Sequence, residues 1–252
     1  ILVSIIQISL KIEGMNYINQ LTQNLQQNFI LIGNLLNGYL IAYIVLQSLY
    51  IHIPFLITLV GGDLLAGEAT SGTYRMLLTR PISRDEIILA KFISGIIYTI
   101  TLIFFLIVLS LGLSLLLFGS GELIVMRNKI IIFPASDILW RFALAYDYAI
   151  LSMCVVISLS FLFSSLVENA IGPIISTMTV IIIFIILSNI DINLFQNIRP
   201  YLFTTYLPYW RFFFDVPIDF YELLKGILIL SGHIILFFFL TLFIFKRKDI
   251  LS

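Results

Sequence analysis

Long, continuous apolar runs dominate the chain. Stretches almost free of charge cover 37–60, 92–118, 142–165, 170–190 and 226–245. A helix needs about 20 mostly apolar residues to cross a hydrocarbon core of roughly 30 Å, and each run has about that length. The runs are continuously apolar instead of alternating in and out, so they predict helices and not barrel strands. A sixth stretch, Ile1–Leu10, is too short to span. It lacks an initiator Met and the basic n-region and cleavage site of a signal peptide, and reads as the outer end of a helix whose start is missing. The expectation is an all-α membrane protein, a single transmembrane domain over 1–252 with six membrane-crossing helices, the first incomplete.

Composition supports this reading. Of 252 residues, 60% are hydrophobic and 11% charged, where a soluble domain carries about 45–50% and about 25%. A water-soluble globule, a disordered chain, collagen and a disulfide scaffold are all excluded. Lys plus Arg and Asp plus Glu balance at 14 each, so no basic field points to nucleic acid. The single cysteine, Cys154, cannot form an internal disulfide and reads as a small core residue.

Lys and Arg in the connections bear on orientation. Arg75, Arg80, Arg84, Lys91, Lys246, Arg247 and Lys248 fall on one side; Lys11, Arg127, Lys129, Arg141, Arg199, Arg211 and Lys225 fall on the other. The numbers are equal, but the first set is packed into shorter segments close to span ends, the density to which the positive-inside rule responds. This favours a cytoplasmic 61–91 segment and a cytoplasmic C-terminus. The opposite side holds the longer connections, about 11–36, 119–141 and 191–225. The first, rich in Asn and Gln, is a polar helix or a loop. The third carries Tyr201, Phe203, Tyr206, Tyr209, Trp210, Phe212, Phe213 and Phe214, broken by Pro200, Pro208 and Pro217. Such ring density fits the headgroup level. It reads either as an aromatic belt anchoring the last span or as short broken helices re-entering the outer leaflet between spans five and six.

The inner segment, Gly61 to Arg84, carries the sharpest local signals. The second span is expected to continue to about Thr70, where Ser71-Gly72 interrupts it. A short helix from about Thr73 to Thr79 follows, ended by Pro81, whose ring disfavours a helical residue before it. Ser83 and Glu86 form a capping box opening the third span, and Asp85 and Glu86 suit the positive end of its dipole. Tyr74 and Leu77, three apart, share one face of the short helix. An ordered cytoplasmic helix with exposed apolar side chains either lies on headgroups or is presented to a partner.

The run AGEATSGTYRMLLTRPISRDEIILAKF, residues 66–92, resembles the inner-loop signature of type 2 ABC transporter permeases. In that family a Glu, Gly-Thr, Leu-Leu, Pro, Ser-Arg and a Lys recur in order, matching Glu68, Gly72, Thr73, Leu77, Leu78, Pro81, Ser83, Arg84 and Lys91. The C-terminal FKRKDIL, Phe245 to Leu251, is similar to the end of many such permeases, and the predicted topology agrees over essentially the whole chain. The family usually begins with a basic amphipathic helix and a whole first span, both absent before Ile1 here. The resemblance implies a dimeric permease, homo- or heterodimeric, in the cytoplasmic (inner) membrane. It docks through a coupling helix on a separate ATP-binding subunit, which holds ATP and Mg, so this chain carries no cofactor and is not itself an enzyme. Glu68, Gly72, Thr73, Tyr74, Arg75, Leu77, Leu78, Pro81 and Arg84 are the docking and coupling residues expected on this basis, with Glu68 near Arg75 tying the short helix to the spans or to the ATPase.

The remaining chemistry is sparse. No Gly-x-x-x-x-Gly-Lys-[Ser/Thr] phosphate loop occurs, so ATP hydrolysis belongs to a partner. His52 and His233 lie in separate spans with no nearby carboxylate and read as buried structural histidines; no metal site is expected. Ser231-Gly232-His233 is no nucleophile–base pair, because adjacent helical positions diverge. Asp147 either lines a pathway, as ionisable groups at membrane depth do, or lies at the wet interface. Spans two, three, five and six hold no charge in their interiors, which disfavours ion- or proton-coupled carriers and charged channel filters. Two functions fit these features. One is export of an amphipathic, peptide-like or lipid-like cargo; the other is a membrane anchor that passes mechanical work to an accessory protein outside without moving a substrate.

Overall fold

The computed structural model describes residues 2–26, 36–49, 52–72, 83–127, 129–190 and 196–247. Helices dominate them: α1 (Leu2–Gln26), α2 (Gly38–Leu49), α3 (His52–Thr70), α4 (Arg84–Ile107), α5 (Leu113–Phe118), α6 (Leu139–Leu166), α7 (Ile171–Asn189), α8 (Phe203–Tyr206) and α9 (Phe220–Arg247). A π-helical stretch, Val108–Gly112, joins α4 to α5 without a break. Five segments are long and apolar enough to cross a membrane: His52–Thr70, Arg84–Phe118, Ala135–Leu166, Ile171–Asn189 and Phe220–Arg247. The crossing expected over Ile1–Leu10 falls on α1, which continues through the Asn/Gln-rich stretch to Gln26.

The apolar run 37–60 falls on α2 and α3, between which residues 50 and 51 lie outside the described residues. One element differs from the sequence expectation. The 119–141 connection contains an antiparallel hairpin, β1 (Leu123–Met126) and β2 (Ile130–Phe133), pairing Leu123 with Phe133 and Met126 with Ile130. Its strands are rich in β-branched residues, and Leu123, Val125 and Phe133 turn inward. Helices α4 and α9 outrun their apolar runs because their charged first turns are helical as well.

The described chain forms two compact units. The first comprises Ile1–Tyr50, Ile103–Tyr146 and Phe213–Ile218. In it, Asn37 caps α2, its Oδ1 accepting from the N–H groups of Tyr39 and Leu40 at 3.1 Å each, while its Nδ2 donates to Glu122 O at 2.6 Å. Gln7 of α1 donates through Nε2 to Leu109 O in the π stretch and to Ser114 Oγ, both at 2.9 Å. A π turn displaces backbone carbonyls from their usual partners, and in an apolar surrounding a side chain must serve them. Arg141, buried, bonds Asp137 and donates to Phe213 O at 2.6 Å, its guanidinium lying 4.4 Å from the Phe133 ring centroid.

The second unit comprises Ile51–Leu102, Asp147–Phe212 and Asp219–Ser252. Here α3 packs closely on α6 and α7. A Cβ added at Gly61 would lie 2.8 Å from Ser160 Cβ, and one at Gly62 2.8 Å from Ile174 Cγ1. The same approach lets Ser164 Oγ donate to Gly62 O at 2.6 Å and accept from the N–H groups of Leu65 and Ala66 at 3.1 and 2.9 Å. Small residues permit such backbone contact where no hydrophobic force between helices operates. Short broken helices fill 199–212, namely a 3-10 turn at Arg199–Tyr201, then α8, then a 3-10 stretch beginning at Leu207. Tyr209 donates to Glu222 at 3.4 Å; burial, then the Glu222 charge, push its phenol up to about 12, so it remains a donor at neutral pH.

Gly61→Val is expected to lower the melting temperature of the detergent-purified protein, since overpacking a tight contact costs about 1–3 kcal/mol. Gly172→Ala, whose Cβ meets Val167 at an ordinary 3.5 Å, is expected to leave it unchanged. Equal melting temperatures for Gly61→Val and wild type, read by thermal unfolding, would contradict the close packing.

Candidate functional site

Four helix ends meet at one end of the second unit. α3 stops at Thr70, and Ser71 and Gly72 form the turn after it, their N–H groups donating to Gly67 O at 3.0 Å and Ala69 O at 3.2 Å. Gly72 has φ +69, the left-handed region where only glycine is free of strain. The interruption expected at Ser71-Gly72 is therefore present, and the chain leaves it for 73–82.

It returns at Ser83. Glu86 accepts from the Ser83 N–H and hydroxyl at 2.9 Å each, and the Glu86 N–H lies 3.3 Å from Ser83 Oγ. This is the capping box read from the sequence. It fixes where α4 starts, and so places Arg84 and Asp85 outward at the first turn. Arg84 donates to the carbonyls of Phe245 at 3.3 Å and Lys246 at 3.1 Å, and Asp85 pairs with Lys246 at 2.8 Å. A guanidinium on the last carbonyls of a helix satisfies orphan acceptors and complements the negative end of the dipole. α4 and α9 are thereby joined at their ends.

Glu68, in the last turn of α3, pairs with Lys91 of α4 at 2.5 Å, both side chains about one quarter exposed. Thr70 Oγ1 lies 2.6 Å from Glu168 O, just past the end of α6. Beneath these polar ties, Leu65, Ile88, Phe161 and Phe245, one each from α3, α4, α6 and α9, form a buried cluster, with Phe92 against both Phe161 and Phe238. An apolar plug with ion pairs and caps around its rim holds the four ends as one block.

The structure thus brings together Glu68, Gly72 and Arg84 of the sequence-predicted set. Thr73, Tyr74, Arg75, Leu77, Leu78 and Pro81 lie outside the described residues, and so does Lys248. The expected proximity of Glu68 to Arg75 is outside them too. The partnerships of Glu68 with Lys91 and of Arg84 with the end of α9 leave no local signal in the sequence, because the paired positions are so far apart along the chain. Asp147 is exposed on α6, about 28 Å along that helix from its far end at Leu166, so it does not belong to this block. His52 is exposed, not buried. His233 is half-buried; its Nδ1–H donates to Ile229 O at 2.8 Å and its ring stands edge-on to Phe203 and Phe237. Cys154 is buried in α6. Among the described residues no three His, Cys, Asp or Glu side chains converge as metal ligands.

These features define a multi-pass helical membrane protein in which the ends of four helices are fastened together. The family model of the ABC-2 family transporter proteins matches residues 2–250, and the chain belongs to that family. A comparison with curated proteins gives no match.

A double-mutant cycle on Glu68→Gln and Lys91→Met is expected to return a coupling of about 0.5–1 kcal/mol, the range for a partly exposed pair. Strictly additive losses of stability in thermal or denaturant unfolding would remove the ion pair from the block.

Proposed function

We propose that the chain is the membrane-spanning permease subunit of an ABC transporter in the cytoplasmic membrane. A separate ATP-binding subunit hydrolyses ATP and docks on the 73–82 segment; two permease copies face one another, and an amphipathic cargo is exported between them. One observation carries the reading: the segment that would dock is held at both ends by a fastened block. It leaves α3 at Gly72, one turn of chain from the Glu68–Lys91 pair, and re-enters at Ser83, next to the Arg84 cap on α9. A displacement imposed on such a segment passes to the ends of α3, α4, α6 and α9 together, as rigid-body transitions require. Arg84, Lys91, Lys246 and Arg247 share this end of the second unit, which supports a cytoplasmic placement by the positive-inside rule. The apolar span interiors support power supplied from a partner in place of an ion gradient.

The test is co-purification of the cognate ATP-binding subunit with a Tyr74→Ala/Leu77→Ala permease that still inserts and dimerises. Loss of two buried anchors is expected to weaken binding by about 2 kcal/mol or more, roughly 30-fold. Glu68→Gln is expected to leave docking intact and lower transport-coupled ATP hydrolysis. Full recovery of the partner with the double variant would mean that the docking surface lies elsewhere; unchanged hydrolysis with Glu68→Gln would remove that residue from coupling.

A further inference from the structure

At the other end of α9 lies a groove of about 480 Å³, within the second unit and within the usual 300–1,000 Å³ range of ligand sites. One wall is a single face of α9, formed by Lys225, Ile229, Gly232 and Leu236; Tyr201 and Tyr206 stand across it. These four positions recur at helical spacing, so the groove runs about 16 Å along the helix. One leaflet of a hydrocarbon core is about 15 Å deep. The groove therefore has the length of one acyl chain region, beginning at the Phe220 end of the span and ending near its middle.

Its chemistry is graded along that length. Lys225 sits at the mouth, half-exposed, with a loose 3.4 Å contact to Glu222 that takes one of its three donors. Below it the lining is Ile229, the bare backbone at Gly232 and Leu236. A Cβ at Gly232 would meet nothing within 4 Å, so the glycine leaves open room where a larger side chain would fill the groove. His233, the other ionisable group on the lining, spends its Nδ1–H on Ile229 O, which turns that polar edge back to its own helix. A cation at interface height above an apolar channel one leaflet deep matches one kind of molecule present at high concentration at that depth.

We propose that this groove is a binding site for a glycerophospholipid of the surrounding bilayer, its phosphate on the Lys225 ammonium and one acyl chain laid along Ile229, Gly232 and Leu236. The exposed Tyr201 flanks the glycerol region, as amphipathic rings do at the interface. The lipid wedges between α9 and the broken helices of 199–206 and steadies their spacing. The proposal is independent of ATPase docking, which concerns the opposite end of α9.

The experiment uses the full chain in nanodiscs of phosphatidylcholine doped with a photoactivatable phosphatidylglycerol carrying a diazirine in its acyl chain, with adducts mapped by peptide mass spectrometry. Adducts are expected on the Ile229–Leu236 face and on Tyr201, in excess over those on the exposed Leu228 and Ile235, which lie at the same depth on a neighbouring face of the helix. Gly232→Leu is expected to abolish the excess and leave the Leu228 and Ile235 adducts unchanged. A diacylglycerol probe with the same diazirine tests the phosphate. Wild type is expected to prefer the phospholipid about tenfold, the value of one charge-assisted hydrogen bond, and Lys225→Met to lose that preference while keeping its melting temperature. Equal labelling of both faces, indifference to Gly232→Leu, or cross-links from this face to a second copy of the chain would each overturn the proposal. Should Lys225→Met fail to fold, Lys225→Arg, which keeps the charge, is expected to retain the preference, and its loss there would count against the phosphate contact.

Discussion

A polar group without a partner in hydrocarbon costs several kcal/mol, and the arrangement of this protein follows from avoiding that penalty. Within the spans, several hydroxyls donate to the carbonyl one turn back: Thr99 to Gly95, Thr101 to Ile97, Ser158 to Cys154, Thr177 to Pro173 and Thr241 to Phe237; Ser152 Oγ in α6 is an exception, buried with no hydrogen-bond partner among the described residues. A helix that treats its polar side chains this way is sealed and makes no demand on its neighbours. Where a hydroxyl or amide reaches further, it joins two helices. Ser160 on Thr58 O and Ser164 on Gly62 O tie α6 to α3, and Gln7 ties α1 to the π stretch that interrupts the third apolar run. The few long-range polar bonds inside the spans are therefore also the points that fix which helices are neighbours.

The same penalty drives charge to the helix ends, and there it fastens one helix to another. Glu68, Lys91, Arg84, Asp85 and Lys246 are all within a turn or two of a terminus, where unsatisfied backbone groups and macrodipoles await partners. Each pair is modest taken alone, being partly exposed. Their strength as a set comes from position, since they ring an apolar plug that contains one residue from each of α3, α4, α6 and α9. Helix α3 is the element most constrained. It is packed backbone-close on α6 at Gly61 and on α7 at Gly62, and clamped to α4 two turns later at Glu68. Under the proposed function, a push delivered through Gly72 would meet a helix held at both of these points.

Helix α9 has a different character at each end. Lys225 and Lys246 stand about 30 Å apart along it, the thickness of a hydrocarbon core. Lys246 is bound into the helix-end block; Lys225 faces a groove flanked by broken helices. One end of the last span is protein-satisfied, and the other offers its cation to whatever lies at the interface. That asymmetry separates the end for which coupling is proposed from the end for which a lipid site is proposed.

Much of this was legible in the sequence, because it depends on local composition and spacing. Apolar run length gave the helical membrane class; Ser83 and Glu86 gave the start of α4 through a three-residue contact; Gly72 gave the end of α3 through backbone freedom. The hairpin at Leu123–Phe133 was harder to see, since a short β-branched stretch beside spans reads as more of the same apolar chain. What only the tertiary structure decided are pairings between distant positions. Lys91 on Glu68, Arg84 on the carbonyls of Phe245 and Lys246, Ser164 on the backbone of α3, and Lys225 over Gly232 opposite the tyrosines depend on which helices lie side by side. Spans that are apolar all round carry no stripe to say which face meets which neighbour. In lipid, helix neighbours are chosen by close packing and a few polar contacts, and those become visible only once the helices have been set against one another.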